Sequence, residues 1–289
     1  MNDMARNIIS MLNHEKGERS QWDTVWQDVA ELIMPNRSTF TTDYHPGQLR
    51  RRRIYDDTAE DALETFAAGV HANLTPRQAR WFYLQPEERD LRESKPVKVW
   101  LAEVHTEMFR ALNEPKANLH HALHMTYMDM GGLGTACMWM GERNGGGLTF
   151  HNRWLGEIYA REDKNGIIDT VLRESKNWTL HELVQEWGFE ALPQRLQDRY
   201  VSMRDADKKE TYTVVHAVMP RDVKVRGMLD RRSRPIAGYY VLKDGENGGH
   251  LLEETGYNEF PYAVPRLSVR TGEKYGVGIG VRTLPRVRM

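Results

Sequence analysis

The side chains in this sequence that could do chemistry are few, and they lie far apart. Asp56-Asp57, Asp205 with Asp207, and Glu253-Glu254 are close carboxylate pairs. Such pairs can hold Mg²⁺ for phosphodiester hydrolysis. His120 and His124 stand one helical turn apart, a spacing that lets two imidazoles reach one metal ion. Arg50, Arg51, Arg52 and Arg53 are consecutive and could neutralise phosphates. Gly276, Gly278 and Gly280 alternate along the chain, as glycines do in nucleotide-binding loops.

Each candidate meets an objection from its neighbours in sequence. The acids are adjacent or alternating on predicted loops, where carboxylates are ordinarily solvated. His120 and His124 have no HExxH context, and the nearest third ligand, Asp129, falls on another helical face. No aromatic residue interleaves the arginines as a single-strand binder would prefer, so ion pairs to a neighbouring subunit compete with phosphate contact. No βαβ unit follows the glycine series. G-x-S-x-G, phosphate-loop and Cys-His zinc patterns do not occur. No catalytic residue, metal site or cofactor is therefore expected.

The elements that would position these residues are better marked. The chain has 289 residues, 28% charged and 40% apolar, a globular composition. A net charge of −1 offers no global attraction to nucleic acid. Cys137 is the single cysteine, so no intrachain disulfide forms and a reducing compartment suffices. The opening segment MNDMARNIISMLNHEKGER lacks the apolar core of a secretory signal. No run approaches the roughly 20 apolar residues that span a bilayer, so no membrane role is expected.

A first helix is predicted over 3–34, with Gly17 able to divide it. A second begins at Asp57, whose D-x-x-E spacing to Glu60 predicts a capped N-terminus. Its apolar face comprises Ala59, Ala62, Leu63, Phe66, Ala67, Val70 and Leu74. Pro76 ends it, and an aromatic block, Trp81, Phe82, Tyr83 and Leu84, follows as a predicted plug. Further helices are expected over 96–112, with Trp100, Val104 and Met108 inward, and over 118–130. Beyond residue 133 the pattern turns to strands and hairpins: 133–140 returning at 148–150, 157–161 with 167–174 across Asn165-Gly166, 210–219, 236–242 with 250–254, and a last strand over 263–269. Thr179 and Glu182 have capping-box spacing, with Gly188 as the stop. A second short helix follows over 193–201. Helices precede strands, so the expected fold is α+β: an N-terminal helical layer over 1–134, then antiparallel hairpins with short helices over 135–289.

The segment Asp57, Thr58, Ala59, Ala62, Phe66, Ala67, Gly69 and Val70, then Leu74, Thr75, Pro76, Trp81, Phe82 and Leu84, resembles the head-to-tail connector, or portal, proteins of short-tailed bacteriophages. Trp22, Asp28, Pro35 and Phe40 are similar to that family too. So are the hairpin residues Ile158, Tyr159, Asp163, Gly166, Ile168, Val171 and Arg173. Gly256, Tyr257, Glu259, Phe260, Pro261, Tyr262 and Arg266 match a later family segment, and Gly272, Glu273, Tyr275 and Gly276 the one after it. The resemblance implies a homo-oligomeric ring, a dodecamer in the family, at one capsid vertex. Its implied partners are capsid protein, the packaging terminase, tail proteins and the double-stranded DNA that passes through. It also implies assembly in the host cytoplasm and residence in the virion. Arg50 to Arg53 are then the candidate DNA contacts. The family continues for about as many residues again after the Tyr275-Gly276 motif. The sequence thus reads as the first part of a portal protein, ending in a tail that Pro285 keeps from forming a long helix. Two alternatives stay open: a metal-dependent nuclease using the acid pairs or the histidines, and a non-functional prophage remnant.

Overall fold

The first helix, α1 (Asn2–Leu32), is continuous through Gly17. A Cβ at Gly17 would meet nothing within 4 Å, so this glycine weakens the helix locally without breaking it. The computed structural model of the chain describes residues 2–37, 40–41, 56–143, 145–202, 210–221, 230–243 and 248–287. It divides into two compact units, each built from non-contiguous segments. One comprises 1–24 and 155–261, the other 25–154 and 262–289. The expected regions 1–134 and 135–289 describe where helix and strand fall along the chain, whereas compactness follows this other partition.

The first unit is a five-stranded antiparallel sheet in the order β3 (Ile158–Glu162), β4 (Ile168–Thr179), β5 (Thr211–Pro220), β6 (Ile236–Leu242) and β7 (His250–Tyr257). Successive strand residues point to opposite faces, and both faces here are apolar. Val215 and Ala217 of β5, with Tyr239 and Val241 of β6, pack on Ile8, Ile9 and Leu12 of α1. Val214, Leu242 and Leu252 face the other way and pack on α6 (Leu180–Trp187) and α7 (Gln194–Val201) through Leu183 and Leu196. The predicted capping box forms: Glu182 N–H donates to the Thr179 hydroxyl while the Glu182 carboxylate accepts from Thr179 N–H at 2.8 Å. Arg19 of α1, 2% exposed, donates to the carbonyls of Leu155, Gly156 and Ile158 and lies 3.9 Å from the Tyr159 ring centroid. That satisfies three carbonyls in the turn that leads into β3.

The second unit begins with the last turns of α1. It continues through α2 (Thr58–Leu74), α3 (Arg89–Glu93), α4 (Lys95–Leu112) and α5 (Leu119–Gly132), then a three-stranded sheet ordered β2 (Leu148–Arg153), β1 (Cys137–Glu142), β8 (Tyr262–Ala263), and closes with α8 (Ile279–Val287). Trp26 is fully buried, donates to the Leu133 carbonyl at 3.2 Å and meets Tyr275 edge-on at 5.1 Å. Asp129 is fully buried and accepts from both Arg37 Nε (3.0 Å) and Nη2 (2.6 Å) and from Asn152 at 2.9 Å. A second small core joins Leu119 and Ala122 of α5 to Met138 and Phe150 of the sheet.

Several expectations need correction. Asp57 makes no side-chain cap bond, and Glu60 is buried, accepting from Asn36 at 2.7 Å. The α2 start is held instead by Asp56, which accepts from the Thr58 amide and hydroxyl. The aromatic block is no core plug: Trp81 and Tyr83 are exposed and rest on α4. On α4 the only buried residue is His105, whose Nε2 contacts the Phe82 carbonyl oxygen at 2.7 Å, while Trp100 is 61% exposed and Met108 is also exposed. Periodicity marks a helix face but cannot say whether this chain covers it. The strand expected over 263–269 shrinks to Tyr262–Ala263 and two single bridges, Thr135 with Arg266 and Val269 with Gly276. The tail is a short helix only, α8, nine residues with Pro285 inside it and Gly280 and Leu284 buried, in line with the expectation of no long helix.

Candidate functional site

Neither described acid pair forms a metal-binding group. Asp56 and Asp57 are exposed, and the Thr58 hydrogen bonds hold the Asp56 carboxyl below its usual range. Glu253 and Glu254 are neighbours on a strand and therefore diverge. Glu253 is exposed, while Glu254 pairs with Arg221. Asp205, Asp207, Arg50, Arg51, Arg52 and Arg53 lie outside the described residues. Among the described residues, His14, Glu15 and Glu18 of α1 bring three ligand atoms within 4.8 Å of one another. Glu15 is also 3.6 Å from Arg161, and His14 is 3.5 Å from Glu18.

The histidines are brought together with a residue the sequence did not flag. His71, in the last turn of α2, places Nε2 3.1 Å from His120 Nδ1, the two rings stacking at 5.4 Å between centroids. His124 has its ring centroid 6.4 Å from that of His71. Nearby, the Thr75 and Tyr127 hydroxyls share a buried hydrogen bond of 3.0 Å. Burial lowers the proton affinity of His71, reinforced by His124; burial likewise lowers that of His120, reinforced by His71 and Arg77. Helix packing is what creates the cluster. At Gly131 of α5 a Cβ would sit 2.7 Å from both Leu63 and Phe66 of α2. The missing side chain therefore sets how near the two helices come. No local sequence signal pairs His71 with His120, which are 49 positions apart.

The glycine series has a packing role. Gly276, Gly278 and Gly280 cross Gly132 and Gly134 backbone to backbone: a Cβ at Gly278 would lie 2.5 Å from the Gly132 oxygen and 2.6 Å from the Gly134 nitrogen. Gly134 has φ +95° and accepts from Leu267 N–H at 2.8 Å. The crossing holds α8 beside α2. Between them lies an apolar cleft of about 680 Å³, lined by Ile33, Leu63, Phe66, Ile279, Thr283 and Val287. Its charged lining residues are Asp56 and Arg286. Two opposite charges on apolar walls suit packing of another surface.

The model of a family described as bacteriophage head to tail connecting protein matches residues 5–289. The chain is 27% identical over 270 residues to the portal protein of Salmonella phage epsilon15, covering 93% of this chain and 47% of that protein. It is 29% identical over 283 residues to a probable portal protein of Bordetella phage BPP-1, covering 97% of this chain and 50% of the other. The chain thus spans about half the length of these curated relatives.

Proposed function

This chain belongs to the bacteriophage head to tail connecting protein family, and on that premise we propose that it is a structural subunit of a portal ring. Identical copies close head to tail, one side of each subunit against the opposite side of the next. The ring, a dodecamer as in the family, occupies one capsid vertex of the virion and is assembled in the host cytoplasm. Capsid protein, the packaging terminase and tail proteins dock on it, and double-stranded DNA passes through the channel without sequence readout. Arg50, Arg51, Arg52 and Arg53 are the phosphate contacts in this reading. The subunit works by shape and charge and turns over no substrate.

The observation that carries the reading is the family match across residues 5–289. Two properties support it. A net charge of −1 suits a conduit, because a strongly basic lumen would hold phosphates by counterion release. Val99, Trp100 and Met108 of α4, and Tyr83 against His105, leave apolar surface in solvent that neighbouring copies would bury. Among the described residues no helix is long and apolar enough to cross a membrane. The test is sedimentation and negative-stain imaging of the purified chain. Closed rings with a central hole are expected; a chain that stays monomeric across the accessible concentration range defeats the assignment.

A further inference from the structure

We propose that His71, His120 and His124 bind one divalent transition-metal ion of the zinc type, clamping α2 to α5. His120 Nε2 lies 2.7 Å from Asn113 Oδ1. A carbonyl oxygen only accepts, so Nε2 carries the proton and Nδ1 presents a bare lone pair. That lone pair faces His71 Nε2 at 3.1 Å. A single proton, on His71 Nε2, therefore bridges the two rings.

A metal ion can take the place of that proton. With Zn–N bonds of about 2.0–2.1 Å and tetrahedral angles, two imidazole nitrogens stand roughly 3.3 Å apart. The observed separation needs to open by only a few tenths of an ångström. His71 then carries its proton on Nδ1, and its Nε2 becomes a ligand. Asn113 already supplies the outer contact that metal-bound histidines usually make: a carbonyl accepting from the second ring nitrogen fixes ring orientation and raises ligand basicity. His124 is the third ligand. It follows His120 by one turn of α5 and is half-buried beside His71, so a side-chain rotation brings its ring toward the same point. Three neutral imidazoles without a carboxylate select zinc, copper or nickel over magnesium or calcium.

The test is zinc titration of the full chain by calorimetry, with cobalt as a spectroscopic probe. One ion per chain is expected, with visible absorption typical of a four-coordinate cobalt site. His71→Ala, His120→Ala and His124→Ala should each weaken zinc binding tenfold or more. Asn113→Ala should weaken it by about tenfold through loss of the orienting carbonyl. His121→Ala, on an exposed position of the same helix, and His14→Ala, in the α1 group, should leave it unchanged. Full zinc affinity in a folded His71→Ala chain, or loss of binding in His14→Ala, overturns the site. Imidazole resonances of the unmutated chain give a second readout independent of folding. Zinc should shift those of His71, His120 and His124; shifts confined to other histidines, or no zinc binding at all, equally overturn it.

Discussion

At the scale of single residues, the crossing of Gly132 and Gly134 under Gly276, Gly278 and Gly280 leaves little room for any side chain. The nearest neighbours of Gly134 and Gly278 are all backbone atoms, which cannot rotate aside as a side chain could. Gly278→Ala should therefore destabilise by about 1–3 kcal/mol through overpacking. Gly134→Ala should cost more, since a side chain at φ +95° adds strain of about 1–3 kcal/mol. Urea denaturation of the two variants checks both the size and the order. Asp129 offers a pH test. Its burial pushes the carboxyl above its usual 3.8, and Arg37 and Asn152 only partly oppose this. A carboxyl raised on folding binds more protons in the native state, so its contribution to stability falls as pH rises through the interval above 3.8. Arg37→Met removes the main opposing charge and should destabilise by about 3–5 kcal/mol at pH 7. Protonation relieves the stranded carboxylate, so the deficit should narrow at pH 5. A deficit independent of pH would show that Arg37 acts by packing alone.

At the scale of elements, one buried carboxylate adds an ionic tie between α1 and the five-stranded sheet to their apolar packing. Burial alone would raise the Glu174 carboxyl, but Lys16 and Lys243 more than offset it and hold it below its usual 4.5. Lys16 Nζ is 2.6 Å from Glu174 Oε2, and Lys243 Nζ is 3.2 Å from Oε1. Lys16 itself is drawn down by burial, so its ammonium depends on this partner. A carboxyl lowered on folding contributes stability that is present above its unfolded value near 4.5 and lost as pH falls through the native value. Glu174→Gln should destabilise by about 1–3 kcal/mol at pH 7. It should also flatten this acid-side loss in unfolding midpoints measured from pH 6 to pH 3. An unchanged acid limb would assign the loss to other carboxylates.

At the scale of the molecule, α4 bears on assembly. Trp100 is 61% exposed and Tyr83 76% exposed, so neither contributes much to the packing of its own chain. Trp100→Ser combined with Tyr83→Ser should leave the unfolding midpoint nearly unchanged, while reducing the ring fraction in sedimentation velocity by at least about tenfold if these residues anchor the neighbour. Rings that form as well as before would move the subunit interface elsewhere, with α2, α8 and their cleft the next surface to mutate.

Much of the architecture was legible because local rules coincide with it. Thr179 and Glu182 close their capping box, the turn at Asp163–Gly166 joins β3 to β4, and α5 ends at Gly131-Gly132. Each depends on residues a few positions apart. The order of helices before strands likewise yields the α+β class without knowledge of any contact. Family kinship was also readable, since motif offsets survive in the linear chain. Only tertiary structure decided the remainder. The α4 stripe looked inward until the fold left it uncovered. The glycine series became a backbone crossing only when 132–134 met 276–280. His71 joined His120 only when α2 lay along α5. In the last two cases the deciding partner is dozens of residues away, and spacing within one segment carries no information about what another segment will, or will not, bring beside it.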